Sequence, residues 1–184
     1  MKPIVSILIL VISFGLNAQT KKIDPAKSSI HWVGKKLTGQ HDGTINFAQG
    51  YLVFEGNKLT GGAFTVDMTT ISATDLEGKP KEKLDGHLKS DDFFGVEKHP
   101  FATLEIKNLS DKGNGIYAVT ADMTIKGITN SISFDMVVKE NSATAQFKVD
   151  RTKFDIKYGS KTFFDEIGDK AIDDEFELDV KLIF

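Results

Sequence analysis

Cysteine is absent from the 184-residue chain. Disulfides, Cys-ligated zinc, iron–sulfur clusters and thiol catalysis are thereby excluded. An excess of positive charge is missing too: 23 bases stand against 26 acids, for a net charge of -3. A nucleic-acid-binding domain would carry a strongly basic face, so no nucleic-acid partner is expected. Arginine is nearly absent, because Arg151 is accompanied by 22 lysines. There is no G-x-S-x-G elbow and no Gly-rich phosphate loop opening a helix. His31, His41, His87 and His99 form no HxH or HxxxH pair, so no metal-ligand spacing lies on a single element. What remains is one Phe-rich domain of ordinary globular composition, with no evident catalytic hardware.

The apolar run Ile4 to Leu16 is 13 residues long and follows Met1-Lys2. A membrane-spanning helix needs about 20 residues, so residues 1–18 read as a secretory signal cleaved near Ala18, with a retained interfacial anchor as the alternative. Leu16 stands where a second small residue is preferred at the cleavage site. Residues 19–184 then form a single domain, exported to the periplasm, with 22 bases against 26 acids and 13 of the 14 Phe.

Alternation with period two dominates from Ser29 onward and predicts strands with one buried face. It is clearest at Tyr117 to Ile125, Ile132 to Val138, Ala143 to Val149 and Phe176 to Phe184. Less regular candidates are Ile30 and Trp32, Ile45 and Phe47, Tyr51 and Val53, Phe64 to Met68, and Ala102 to Ile106. Lys126-Gly127 and Glu140-Asn141 sit at tight-hairpin spacing. The pattern predicts an all-β fold of eight antiparallel strands, as a barrel or sandwich. From Thr69 to Pro100 the alternation stops. Leu84 and Leu88, four apart after Pro80, predict a short helix in an insertion near residues 70–95, either a lid across a barrel end or a packed crossover.

Two features bear on function. Strand parity from Ala145, Phe147 and Val149 puts Arg151 on the inner face, where it must pair with a carboxylate, with backbone carbonyls or with an anionic ligand. Phe and Met residues also crowd the inward parity. They either fill a barrel core or line a site for one apolar ligand. Acidic pairs such as Asp165-Glu166 and Asp173-Asp174-Glu175 read as solvated turns, and a calcium site between Asp165 and Glu175 lacks the regular loop spacing.

The segment His87-Leu88-Lys89-Ser90-Asp91-Asp92-Phe93-Phe94-Gly95-Val96-Glu97-Lys98-His99-Pro100 resembles the signature of the YceI-like family of polyisoprenoid-binding periplasmic proteins. Asp150-Arg151-Thr152-Lys153-Phe154-Asp155-Ile156 and Met123-Thr124-Ile125-Lys126-Gly127-Ile128-Thr129 are similar to it as well. His99 departs from the aromatic frequent there. The resemblance implies a lipocalin-like eight-stranded antiparallel barrel whose apolar tunnel holds a long isoprenoid chain, such as a polyprenyl phosphate or a quinone tail. It implies no catalytic residue, no metal and no cofactor other than that lipid. Phe47, Phe64, Tyr117, Met123, Phe134, Met136 and Phe147 are the expected tunnel residues. His87, Ser90, Phe93, Phe94 and Arg151 are the expected mouth and head-group residues. Transient membrane contact is expected, and the oligomeric state is left open. The alternatives are an enzyme acting on such a lipid through His87 or His99, and a side-chain-filled barrel with a partner-binding surface.

Overall fold

The computed structural model describes residues 18–164, 168 and 171–184. The proposed signal segment up to residue 17, and Asp165-Glu166 with its neighbours, lie outside them. The described strands are β1 (Ala18–Lys22), β2 (Ser29–Lys36), β3 (Gly39–Glu55), β4 (Lys58–Ala73), β5 (Phe101–Gly113), β6 (Ile116–Ile125), β7 (Ile128–Lys139), β8 (Ser142–Asp150) and β9 (Ile172–Ile183), with helix α1 (Gly78–Lys89) between β4 and β5. β2 to β9 pair around a ring in the order β2-β9-β8-β7-β6-β5-β4-β3, and β3 returns to β2. All pairings are antiparallel, so eight strands close into the expected barrel.

β1 is an additional strand. β3 is long enough to pair with β2 through its first half and with β1 through its second, from Tyr51↔Lys22 to Glu55↔Ala18. Its five residues, mostly polar and exposed, carry no alternation that would betray a strand.

The regular strands keep their predicted parity. In β6 the residues alternate buried and half-buried without exception, from Tyr117 to Ile125. The Lys126-Gly127 turn after it has positive φ at both positions (53° and 77°), as a two-residue hairpin matching the strand twist requires. β3 departs from expectation. The register shifts between Phe47 and Gln49, and this bulge moves the inner face from Ile45 and Phe47 to Leu52 and Phe54. Tyr51, expected inside, is 42% exposed. β4 likewise runs past Thr69 to Ala73, because a bulge moves its buried set from Met68 to Ile71 and Ala73.

The barrel has two distinct ends. At the hairpin end, Leu52, Phe54, Leu59 and Tyr117 are 0–6% exposed and Phe54 packs on Phe184 at 5.9 Å. At the other, α1 and the turns after it supply Leu88, Phe93, Phe94 and Val96, each 6–7% exposed. Phe94 meets Phe176 edge-on at 6.4 Å, and Lys126 Nζ donates to Asp91 O at 2.9 Å. The insertion covers this end of the barrel.

Asp85 fastens α1 to the end of β4. Its carboxylate accepts from Ala73 N–H at 2.7 Å and from Ser72 Oγ at 2.9 Å, with Lys81 Nζ at 3.1 Å. Burial alone would raise its pKa, but the Ala73 and Ser72 bonds and the Lys81 charge outweigh it and hold the group below 3.8. A depressed carboxylate contributes its stability in full above the ordinary range and loses it as pH falls through the lowered value. Asp85→Ala is therefore expected to cost about 1–3 kcal/mol near neutrality. In urea titrations the gap to wild type should narrow as pH falls below the ordinary carboxylate range and through the lowered value.

Candidate functional site

The inward faces of the strands enclose a cavity of about 170 Å³ whose lining is almost entirely apolar. A single water needs roughly 10–15 Å³, so the interior is not filled by its own side chains. The inward Phe and Met residues thus surround an open space instead of packing the interior completely.

Six of the seven expected tunnel residues reach this lining: Phe47, Phe64, Met123, Phe134, Met136 and Phe147. Phe47 and Phe64 meet at 6.1 Å across β3 and β4, and Phe134 and Phe147 stack at 4.4 Å across β7 and β8. Tyr117 does not belong to the set. It shares the parity of Met123 but lies at the hairpin end, where it is 5% exposed and its hydroxyl accepts from Leu59 N–H at 3.2 Å. Parity gives the face, not the depth along the barrel. Tyr117→Phe leaves that buried amide without an acceptor, so a loss of about 1–3 kcal/mol in chemical denaturation is expected, with ligand affinity unchanged.

Trp32, Leu178 and Val180 complete the wall from β2 and β9. Trp32 is the chain's one tryptophan. Its ring lies on the backbone of Gly43, where any Cβ would meet its ring carbons at 2.5 Å and Ser72 O at 2.1 Å. The strand alternation names Trp32 as inward, but only this close approach shows why it lies flat along the wall.

The expected mouth residues divide. Phe93, Phe94 and Arg151 line the cavity from the covered end, together with Leu88. Ser90 and His87 do not line it. The Ser90 hydroxyl donates to His87 O at 2.7 Å and its carbonyl accepts from Phe93 and Gly95 N–H, so the residue shapes the turn that follows α1. The His87 ring packs between Phe93 at 5.5 Å and Tyr158 at 4.4 Å, and its buried Nε2 has no hydrogen-bond partner.

Arg151 is 1% exposed and opens the short 3-10 turn Arg151–Phe154. Its Nε donates to Asp173 O at 3.0 Å, Nη1 to Ile156 O and Tyr158 O at 2.8 Å each, and Nη2 to Ile172 O at 3.0 Å. Asp174 Oδ1 lies 3.5 Å from Nη2, and the guanidinium carbon sits 5.8 Å from the Phe93 ring centre. Among the three partners that inward placement allowed, backbone carbonyls take most of the donors. Burial would raise the Asp174 pKa, but hydrogen bonds from Ser160 and Thr162 and the Arg151 charge keep it lowered. Among the described residues, no three His, Asp or Glu side chains gather as a metal site would.

A closed antiparallel barrel around an unfilled apolar interior, capped by a helical insertion, defines a lipocalin-like cavity protein. The chain belongs to the YceI-like domain family, whose model matches residues 22–184. A UPF0312 protein of Vibrio campbellii is 30% identical over 129 residues, covering 68% of this chain and 66% of that one. Across this relative and a UPF0312 protein of Shewanella denitrificans, the chain spans between 46% and 66% of the relative's length. Among solved structures, BcnA of Burkholderia cenocepacia superposes with a TM-score of 0.71 at 20% identity, covering 88% of this chain and 99% of that one. A polyisoprenoid-binding domain from Saccharophagus degradans, implicated in plant cell wall breakdown, superposes with a TM-score of 0.59 at 14% identity, covering 88% and 95%. At such identities these two structures establish the fold.

Proposed function

We propose that the protein binds the tail of a long isoprenoid lipid, a polyprenyl phosphate or a quinone, and carries or sequesters it in the periplasm without covalent chemistry. The observation that carries this reading is the apolar cavity that the barrel's own side chains leave unfilled. The Saccharophagus degradans domain named for polyisoprenoid binding shares the fold and so supports the ligand class. Transfer of apolar surface from water supplies the driving force, about 0.8 kcal/mol per buried CH₂. Each isoprene unit contributes roughly 3–4 kcal/mol before the cost of ordering the tail is subtracted. Export rests on residues 1–18 serving as a cleaved signal. Loading from a membrane is supported by aromatic residues exposed beyond the covered end, Tyr158, Phe163 and Phe164, each 46–50% exposed.

Native mass spectrometry of the purified mature protein tests the reading. A bound species whose mass rises in isoprene increments is the expected result. Only unliganded protein, after expression in a host that makes such lipids, would remove the carrier function. Lipid turnover that disappears in His87→Ala would establish the enzyme instead.

A further inference from the structure

Buried side chains crowd both ends of the barrel, Leu52, Phe54, Leu59 and Tyr117 at one and Leu88, Phe93, Phe94 and Val96 at the other, which makes the wall the alternative route for a long tail. We infer that it passes between β7 and β8, through a lateral portal closed by the stacked rings of Phe134 and Phe147; this inference rests on the lipid-binding reading above. The hydrogen-bonded ladder between these strands covers only Met136↔Ala145 to Lys139↔Ser142. Both strands nevertheless continue towards the covered end, β7 back to Ile128 and β8 on to Asp150. Over that stretch β7 is bonded to β6, and β8 to β9, but the two are not bonded to each other.

Here the two neighbouring strands meet at a seam held together by side chains over the half of the barrel nearer the covered end; the β4–β5 ladder, Ala63↔Glu105 to Asp67↔Phe101, is also short, but it lapses towards the hairpin end. Extending the Met136↔Ala145 register places Phe134 opposite Phe147, and these rings stack at 4.4 Å while lining the cavity. Nearer the covered end, Asn130 Nδ2 donates to Lys153 O at 2.9 Å and latches β7 to the turn after β8. Parting this seam breaks one exposed hydrogen bond and one ring stack, whereas parting any of the fully laddered strand pairs breaks a row of buried backbone bonds. The rings are also chemically suited to the passage, since a flat apolar pair can turn aside and re-form its contact against an isoprenoid chain. Opening of this kind belongs to the slower class of motions that set binding rates more than affinities.

The absence of cysteine makes the test clean. Ser133 and Lys148 face outward, lie opposite each other in the same register and do not line the cavity. The variant Ser133→Cys/Lys148→Cys, joined by a short bis-maleimide, staples the seam from outside. All-trans-retinol, an isoprenoid alcohol that accepts tryptophan fluorescence energy, reports loading through Trp32, which lies in the cavity wall. The stapled protein is expected to load at least roughly tenfold more slowly than the unstapled double variant. Protein loaded first and stapled afterwards should retain its retinol correspondingly longer, which also shows that stapled barrels remain folded. Asn130→Ala should load several-fold faster than wild type at unchanged equilibrium affinity. Equal loading rates with and without the staple, or for Asn130→Ala and wild type, overturn the portal while leaving the lipid site standing. If the unstapled protein takes up no retinol, the binding reading fails and the portal with it.

Discussion

Arg151→Met should abolish cooperative folding near room temperature or bring it close to its limit. The guanidinium is the shared donor for four backbone carbonyls, those of Ile156, Tyr158, Ile172 and Asp173, and it lies 3.5 Å from Asp174. These groups come from the turn after β8 and from the start of β9, two segments joined by no long ladder at this point. Methionine fills the same volume without a single donor. The bond to Ile156 O is buried and the other three are part-buried, so each acceptor left unpaired costs up to about 1–3 kcal/mol, and Asp174 loses its countercharge as well. Four such losses together overlap the lower part of the stability of a typical domain, about 5–15 kcal/mol. Arg151→Lys should be intermediate, because an ammonium has three donors and no planar fork to reach carbonyls on both sides. Urea denaturation followed by circular dichroism checks the order wild type, Lys, Met. A Met variant within about 1 kcal/mol of wild type would mean that neighbouring groups or water replace the fork.

Arg151 also marks what the sequence made legible. Its parity and its status as the lone arginine identified an inward residue that needed partners, but not which partners. The carbonyls it serves belong to segments up to 22 residues away, and nothing in a local pattern encodes that return. The same division runs through the fold. β6, with Tyr117 to Ile125 alternating regularly, was readable because period two is a local property. In β3 the bulge after Phe47 reversed the parity, so Tyr51 and Val53 were expected where Leu52 and Phe54 lie. One extra residue exchanges the faces of a strand, and no single residue type announces it. Tyr117 illustrates the remaining gap. Its face was correct, but the depth that separates the hairpin end from the cavity emerges only when strands of different lengths are set in register. The seam between β7 and β8 was likewise invisible, since both strands alternate well and the missing ladder concerns their partner rather than their own sequence.

The second large effect separates the cavity from the fold. Leu178→Trp should weaken lipid binding by about 100- to 1,000-fold while leaving the barrel at least as stable as before. Leu178 stands on the inner face of β9, paired with Trp32 on one side and Phe147 on the other, and its half-buried side chain borders the void. The larger ring projects into space that a tail would otherwise occupy, so it gains apolar contacts rather than displacing packed neighbours. Met136 is a poorer position for this purpose, since at 3% exposure an indole there would press on its surroundings. Exclusion of one isoprene unit removes roughly 3–4 kcal/mol of transfer energy, which is about 100- to 1,000-fold in affinity. Calorimetric titration with a polyprenyl ligand and a thermal melt of the same sample read both quantities. Tyr117→Phe is the mirror image, with stability lost and binding kept. That opposition distinguishes a ligand cavity from an underpacked core, in which any added side chain would stabilise and no titration would show saturable binding. Unchanged affinity in Leu178→Trp would place the ligand outside the barrel.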